Sequence, residues 1–175
     1  MKDWKFVLLN LTTILGILLG TASIAVAVFS DALGVAVLLI MASALIDRYD
    51  GRIARRYRLV STLGARLDSA NDVVTFAIAP AVLLAQGFFL NVSFLVAAIT
   101  IYVLFGSFRL LRFHQREERT RTQGIPITPI GVLLSVLLWG IESRIEASLG
   151  SDLALFAFVL LLSFLMIAPF TVKKY

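Results

Sequence analysis

The sequence predicts an all-α integral membrane protein with six transmembrane helices in one domain, 1–175. Three observations carry this. First, 59% of the 175 residues are hydrophobic and only 15% charged, where soluble domains run at about 45–50% and about 25%. Second, six apolar stretches alternate with clusters of charge. Third, fifteen of the sixteen lysines and arginines fall on one side of a six-span arrangement. Such a chain is too apolar to be coated by water, which excludes most soluble enzymes and any disordered tail. The absence of cysteine excludes a disulfide framework, a thiolate nucleophile and a Cys-type zinc site. A single histidine, His114, excludes a His-rich metal site. No nucleic-acid partner is expected.

A span needs about 20 apolar residues at 1.5 Å rise each. The apolar stretches are Val7–Phe29, Ala32–Ile46, Leu63–Gly87, Val92–Phe108, Ile127–Ile141 and Leu153–Val172. As helices they are expected near 7–29, 32–56, 63–87, 92–113, 127–148 and 153–172. Met1–Phe6 is too short for a cleaved leader, so the first span is expected to be retained. Lys2 and Lys5 precede span one; Arg48, Arg52, Arg55, Arg56, Arg58 and Arg66 lie around the link from span two to three. Arg109, Arg112, Arg116, Arg119 and Arg121 lie between spans four and five, and Lys173 and Lys174 end the chain. The other side has only Arg144. By the positive-inside rule, both termini and the basic links face the cytoplasm across the cell membrane.

Spans two and three carry four aspartates, Asp47, Asp50, Asp68 and Asp72. A charge at the centre of a spanning helix costs about 2.5–3.5 kcal/mol on insertion scales. Asp47 and Asp50 are i,i+3 and Asp68 and Asp72 are i,i+4, so each pair shares one helical face. A short turn between the helices sets both pairs a few turns below one surface. Facing carboxylates must be neutralised by protons, by neighbouring arginines such as Arg48, Arg52 and Arg66, or by a hard divalent cation. Gly51, Ala54 and Gly64 are small residues on these helices that let a ligand or another helix approach the backbone.

These residues resemble a known signature. Asp47-Arg48-Tyr49-Asp50-Gly51-Arg52-Ile53-Ala54-Arg55, then Gly64-Ala65-Arg66-Leu67-Asp68-Ser69-Ala70-Asn71-Asp72, is similar to the CDP-alcohol phosphotransferase pattern D-x-x-D-G-x-x-A-R…G-x-x-x-D-x-x-x-D. Every fixed position is filled, and the spacer Arg56–Leu63 has the expected length. Leu67–Pro80 further resembles the L-D-S-x-x-D-x-V-[ST]-F-x-x-A-P run of the family's phosphatidylserine synthase branch. Arg109-Leu110-Leu111-Arg112-Phe113 resembles R-L-x-[RK]-F-N, with His114 in place of the asparagine. Gly124-Ile125-Pro126-Ile127-Thr128-Pro129 resembles a G-x-P-x-P turn in which Thr128 displaces the second proline. The resemblance runs from Thr12 to about Gly131.

The resemblance implies a catalytic membrane domain that transfers a phosphatidyl group from CDP-diacylglycerol to an alcohol, releasing CMP. L-serine is the acceptor implied by the branch; inositol phosphate, glycerol phosphate, choline and an archaeal-type ether-lipid donor are the alternatives. It implies Asp47, Asp50, Asp68 and Asp72 as ligands of two divalent ions, Mg²⁺ or Mn²⁺. Asp72 is also the implied general base for the acceptor hydroxyl. Asp47, Gly51, Ala54, Arg55, Gly64 and Asp68 would line the CDP cleft. Arg109 and Arg112, three apart at the cytosolic end of span four, suit the serine carboxylate. Membrane lipids, and a second copy of the chain in a homodimer, are the other implied partners. A cation transporter is the rival from another class, since intramembrane acids also bind ions in transit. No broken helix or inverted repeat supports it.

Overall fold

The computed structural model describes residues 3–30, 32–57, 62–114, 121–123, 125–142, 148–168 and 171–173. They form six helical rods. α1 (Asp3–Phe29) and α2 (Leu33–Tyr57) are an antiparallel hairpin. The third rod runs through α3 (Thr62–Asp72), a π-helical segment (Val73–Ile78) and α4 (Ala79–Leu84). Then follow α5 (Val92–His114), α6 (Ile127–Ile141) and α7 (Leu149–Ile167). Among the described residues, four stretches are long and apolar enough to cross a membrane: Leu9–Phe29, Gly64–Leu84, Val92–Leu111 and Leu149–Ile167. α6 is shorter, and the second half of α2 carries the charges of Asp47–Arg56.

Several rod ends differ from the expected spans. α1 begins at Asp3, ahead of its apolar part. The third rod stops at Leu84, and Gly87, at φ +85°, turns the chain before α5. α7 starts four residues early because Ser148 caps it: Ser151 N donates to Ser148 Oγ (3.2 Å) and Ser148 N to Ser151 Oγ (2.8 Å). α6 ends at Ile141 and α7 at Ile167, short of 148 and 172. The all-α reading holds for every rod. One small addition is a two-stranded antiparallel ribbon, β1 (Arg121–Gln123) against β2 (Thr171–Lys173).

Pro80 gives a physical reason for the π segment. It carries no N–H to return to the Phe76 carbonyl four residues back, and its ring would crowd that carbonyl. The turn widens instead, and Ala79 N–H bonds Val74 O, five residues back. The Phe76 carbonyl accepts from the buried Tyr102 hydroxyl of α5 at 2.8 Å. An unsatisfied carbonyl at this depth costs several kcal/mol. Gly131 of α6 packs on the same carbonyl: a Cβ there would lie 2.8 Å from Phe76 O. The π segment therefore docks α5 and α6 together.

α1 seats the third rod through small and polar residues. Buried Asn71 accepts from Thr75 Oγ1 (3.1 Å), and Ser43 Oγ lies 3.4 Å from Asn71 Oδ1 and 3.1 Å from Gly16 O. A Cβ on Gly16 would lie 2.9 Å from Asn71 Oδ1. Asn71 and Thr75 thus press one face of the rod against α1. The neighbouring face, one residue round, carries Asp68 and Asp72.

At the other end of the rods, α7 contributes a fully buried carboxylate. Asp152 accepts from Leu90 N (3.0 Å) and Asn91 N (2.8 Å) in the link between α4 and α5.

Candidate active site

Each sequence-predicted acid sits where two rods meet. Asp47 and Asp50 lie in the charged half of α2; Asp68 and Asp72 lie on α3, whose last residue is Asp72. Asp50 is buried, Asp47 and Asp72 are half-buried and Asp68 is exposed. Asp72 lies within electrostatic range of Asp47, Asp68 and Arg109, and Asp50 within range of Asp68. The two pairs therefore form one acidic neighbourhood.

Two further helices enter it. α5 brings Arg109 to Asp72, and α6 brings Thr128, whose hydroxyl hydrogen-bonds the Asp72 carboxylate. Arg109 was read from sequence as a contact for the acceptor; here the guanidinium faces Asp72, and its buried Nε has no hydrogen-bond partner. Arg55 and Arg112 lie on α2 and α5, with side chains outside the described residues. Gly51 and Ala54 on α2 and Gly64 on α3 are half-buried near the charged ends of the same two helices.

Thr12 and Thr128 were missed as site residues. Thr12 of α1 hydrogen-bonds Asp50, so the first helix also reaches the acids. Their spacing carries no signal, since a threonine in an apolar helix usually bonds its own backbone. Thr12 does so too, 2.8 Å from Leu9 O.

The donor set fits a hard divalent cation. It consists of carboxylate oxygens with neither sulfur nor imidazole. Asp50 Oδ2 is buried without a hydrogen-bond partner, although Thr12 serves the same carboxylate. An orphaned buried carboxylate oxygen is costly unless a cation satisfies it. Among the described residues, no three His, Asp or Glu side chains close to the spacing of a single ion. The four carboxylates stand in two helical pairs.

The chain matches CDP-alcohol phosphatidyltransferases over residues 6–173. It belongs to that family. Membership decides for a transferase over the cation carrier, and enzymes of this family generally depend on a divalent metal. A protein of Methanocaldococcus jannaschii named CDP-diacylglycerol–serine O-phosphatidyltransferase is 37% identical over 163 residues, covering 93% of this chain and 72% of its own. One of the same name from Helicobacter pylori is 34% identical over 166 residues, covering 91% and 68%. An archaetidylserine synthase of Methanothermobacter thermautotrophicus is 32% identical over 122 residues, covering 66% and 52%. This family member thus carries the four aspartates on two adjoining rods, with α5 and α6 closing on the last of them.

Proposed function

We propose that this membrane enzyme transfers the phosphatidyl group of CDP-diacylglycerol to L-serine, forming phosphatidylserine and CMP. The observation that carries the reading is the convergence on Asp72 of Asp47, Asp68, Arg109 and Thr128, from α2, α3, α5 and α6. The names of the M. jannaschii and H. pylori relatives support serine as the acceptor. The archaetidylserine synthase shares the serine part of the name and gives a reason to test a CDP-activated ether lipid as a second donor.

The donor's pyrophosphate is anionic, its chains must stay in lipid and its nucleotide must reach water. A carboxylate cluster at the polar ends of membrane helices meets all three demands. Two divalent ions, Mg²⁺ or Mn²⁺, held by Asp47, Asp50, Asp68 and Asp72 would neutralise the pyrophosphate and stabilise the charge on departing CMP. Gly51, Ala54 and Gly64 leave room for the nucleotide against the backbone, and Arg55 pairs with a phosphate. Asp72 takes the proton of the serine hydroxyl as its oxygen attacks the lipid-side phosphorus. The bond from that phosphorus to the CMP oxygen breaks, and CMP leaves with the electron pair. Arg109 and Arg112 hold the serine carboxylate; the unpartnered Nε–H of Arg109 supports this for the first of them. Holding both reactants in line supplies most of the acceleration, because little covalent chemistry falls to the protein.

The site and both termini face the cytoplasm in this reading, supported by the one-sided distribution of lysine and arginine. A homodimer is part of the proposal through the family resemblance. The deciding experiment is CMP release by the purified protein in detergent, with CDP-diacylglycerol, a defined divalent ion and a panel of radiolabelled alcohols. Serine should stimulate release and appear in the lipid product. Release stimulated only by another alcohol would overturn serine and leave the transferase standing.

A further inference from the structure

We infer that Thr128 is a positioning residue that fixes the rotation of the Asp72 carboxylate. The inference rests on Asp72 being the base of the proposed transfer.

Several helical hydroxyls among the described residues turn back on their own backbone, while Ser23 and Ser43 cross to the carbonyls of Ala36 and Gly16 on a neighbouring helix. Thr13 and Thr21 donate to Leu9 O and Ile17 O, and Ser69, Ser135 and Ser163 to Ala65 O, Gly131 O and Val159 O. Thr128 crosses too, and its partner is a carboxylate of the acidic site. It is the second residue of α6, after Pro126, which caps the helix from an extended conformation (φ −53°, ψ 148°) without a side-chain bond. Only Ile127 of α6 precedes it, so the helix offers its hydroxyl no carbonyl of its own to return to, and it bonds Asp72.

The turn that carries Thr128 is held on both sides. Gly131 packs on the Phe76 backbone, four residues beyond Asp72. Ile127 is fully buried, and its Cδ1 would lie 2.8 Å from a Cβ on Gly106 of α5. A close-packed contact of this kind leaves the turn little room to shift. An aspartate carboxylate has a broad, two-fold torsion and does not choose a rotation by itself. Thr128 donating to one oxygen turns the other toward the acceptor hydroxyl. Arg109 supplies charge on the α5 side. Thr128 is also the residue by which this chain departs from the G-x-P-x-P turn it otherwise resembles.

The test is steady-state kinetics of Thr128→Val and Thr128→Ser in detergent, with turnover expressed per mole of CDP-diacylglycerol bound. The valine variant keeps the shape and loses the donor. Its kcat should fall about 10-fold or more, the scale of a hydrogen bond to a charged group. KM for serine and for CDP-diacylglycerol should stay within about twofold, because what is lost is orientation in the transition state. Serine at 128 keeps the hydroxyl and should restore most of kcat. Should the valine variant bind no donor lipid, Thr128→Ala carries the same readout. An unchanged kcat in the hydroxyl-free variant, or equal loss in the valine and serine variants, would overturn the inference. Asp72→Asn in the same assay separates the two readings. If it still turns over, the base assignment fails and takes this inference with it. If it is dead while Thr128→Val is fully active, only the role of Thr128 is lost.

Discussion

Asp152→Ala should destabilise the protein without touching the acidic site. The carboxylate is fully buried and accepts two backbone N–H groups, Leu90 N at 3.0 Å and Asn91 N at 2.8 Å. Truncation leaves two donors without their acceptor, at about 1–3 kcal/mol each. The lower half of that range applies, because Leu90 is 66% exposed and water can reach the link once the carboxylate is gone. The expected loss is therefore about 3 kcal/mol. For a chain of this size, 1 kcal/mol moves Tm by about 2–4 °C, so the expected fall is roughly 6–12 °C. Asp152→Asn keeps one acceptor oxygen but turns an amide N–H toward a backbone N–H, and should recover less than half of the loss. The assay is thermal unfolding in detergent, followed by CMP release at a temperature where both proteins are folded. Activity per folded molecule should match wild type, since Asp152 sits in the first turn of α7 against the α4–α5 link, while Asp72 lies midway along the third rod and Arg109 near the far end of α5. A Tm within about 2 °C of wild type for Asp152→Ala would refute the claim that this carboxylate clasps the link. A normal Tm with lost turnover would place Asp152 in the chemistry instead.

Three other outcomes are expected. Asp47→Asn, Asp50→Asn and Asp68→Asn should each abolish CMP release while thermal unfolding stays cooperative, and chelation should do the same reversibly; full activity in chelator would end the metal reading. Arg109→Lys keeps a charge but loses the planar fork, so KM for serine should rise about 10-fold or more, with KM for CDP-diacylglycerol little changed; an unaltered serine KM would remove Arg109 from the acceptor site. Cysteines introduced at Gln123 and Ser148 should react with an impermeant reagent from opposite faces of a sealed vesicle, against a background free of native cysteine; labelling from the same face would refute the arrangement of α6 between them.

The rods and acidic pairs were legible because they depend on local properties: runs of apolar residues, and helical spacing that puts Asp68 and Asp72 on one face. What was not legible depends on partners far apart in the chain. Thr128 reads as a break in a proline turn until α6 is laid against α3. Thr171-Val172-Lys173 reads as the tail of a span, yet it forms β2, because strand pairing needs Arg121–Gln123 from across the chain. Asp152 reads as an ordinary charge outside the membrane; its burial is decided by the return of the α4–α5 link. Arg109 was read with Arg112 as a contact for the acceptor carboxylate, and its position against Asp72 depends on how α5 packs on the third rod. The π segment did leave a mark in Pro80, but within the run from Val73 to Leu84, apolar but for Thr75, the period gives no hint of whether a proline kinks a helix or widens it.

That widened turn gives the third rod two angular phases. Each residue of an α-helix advances it by about 100°, and a π turn takes up one extra residue without adding a full step of rotation. The acids of α3 and the buried Leu83 and Leu84 of α4 therefore answer to different registers, joined at Pro80. The lipid-embedded half can be packed tightly against α5 and α6 while the acidic half keeps its own bearing toward α2. A one-residue deletion between Val73 and Ile78 would erase the offset. Because the wide turn absorbs its extra residue without a full step of rotation, Asp68 and Asp72 would keep nearly their bearing toward α2, whereas the same deletion in an α-helical stretch would turn them by about 100°.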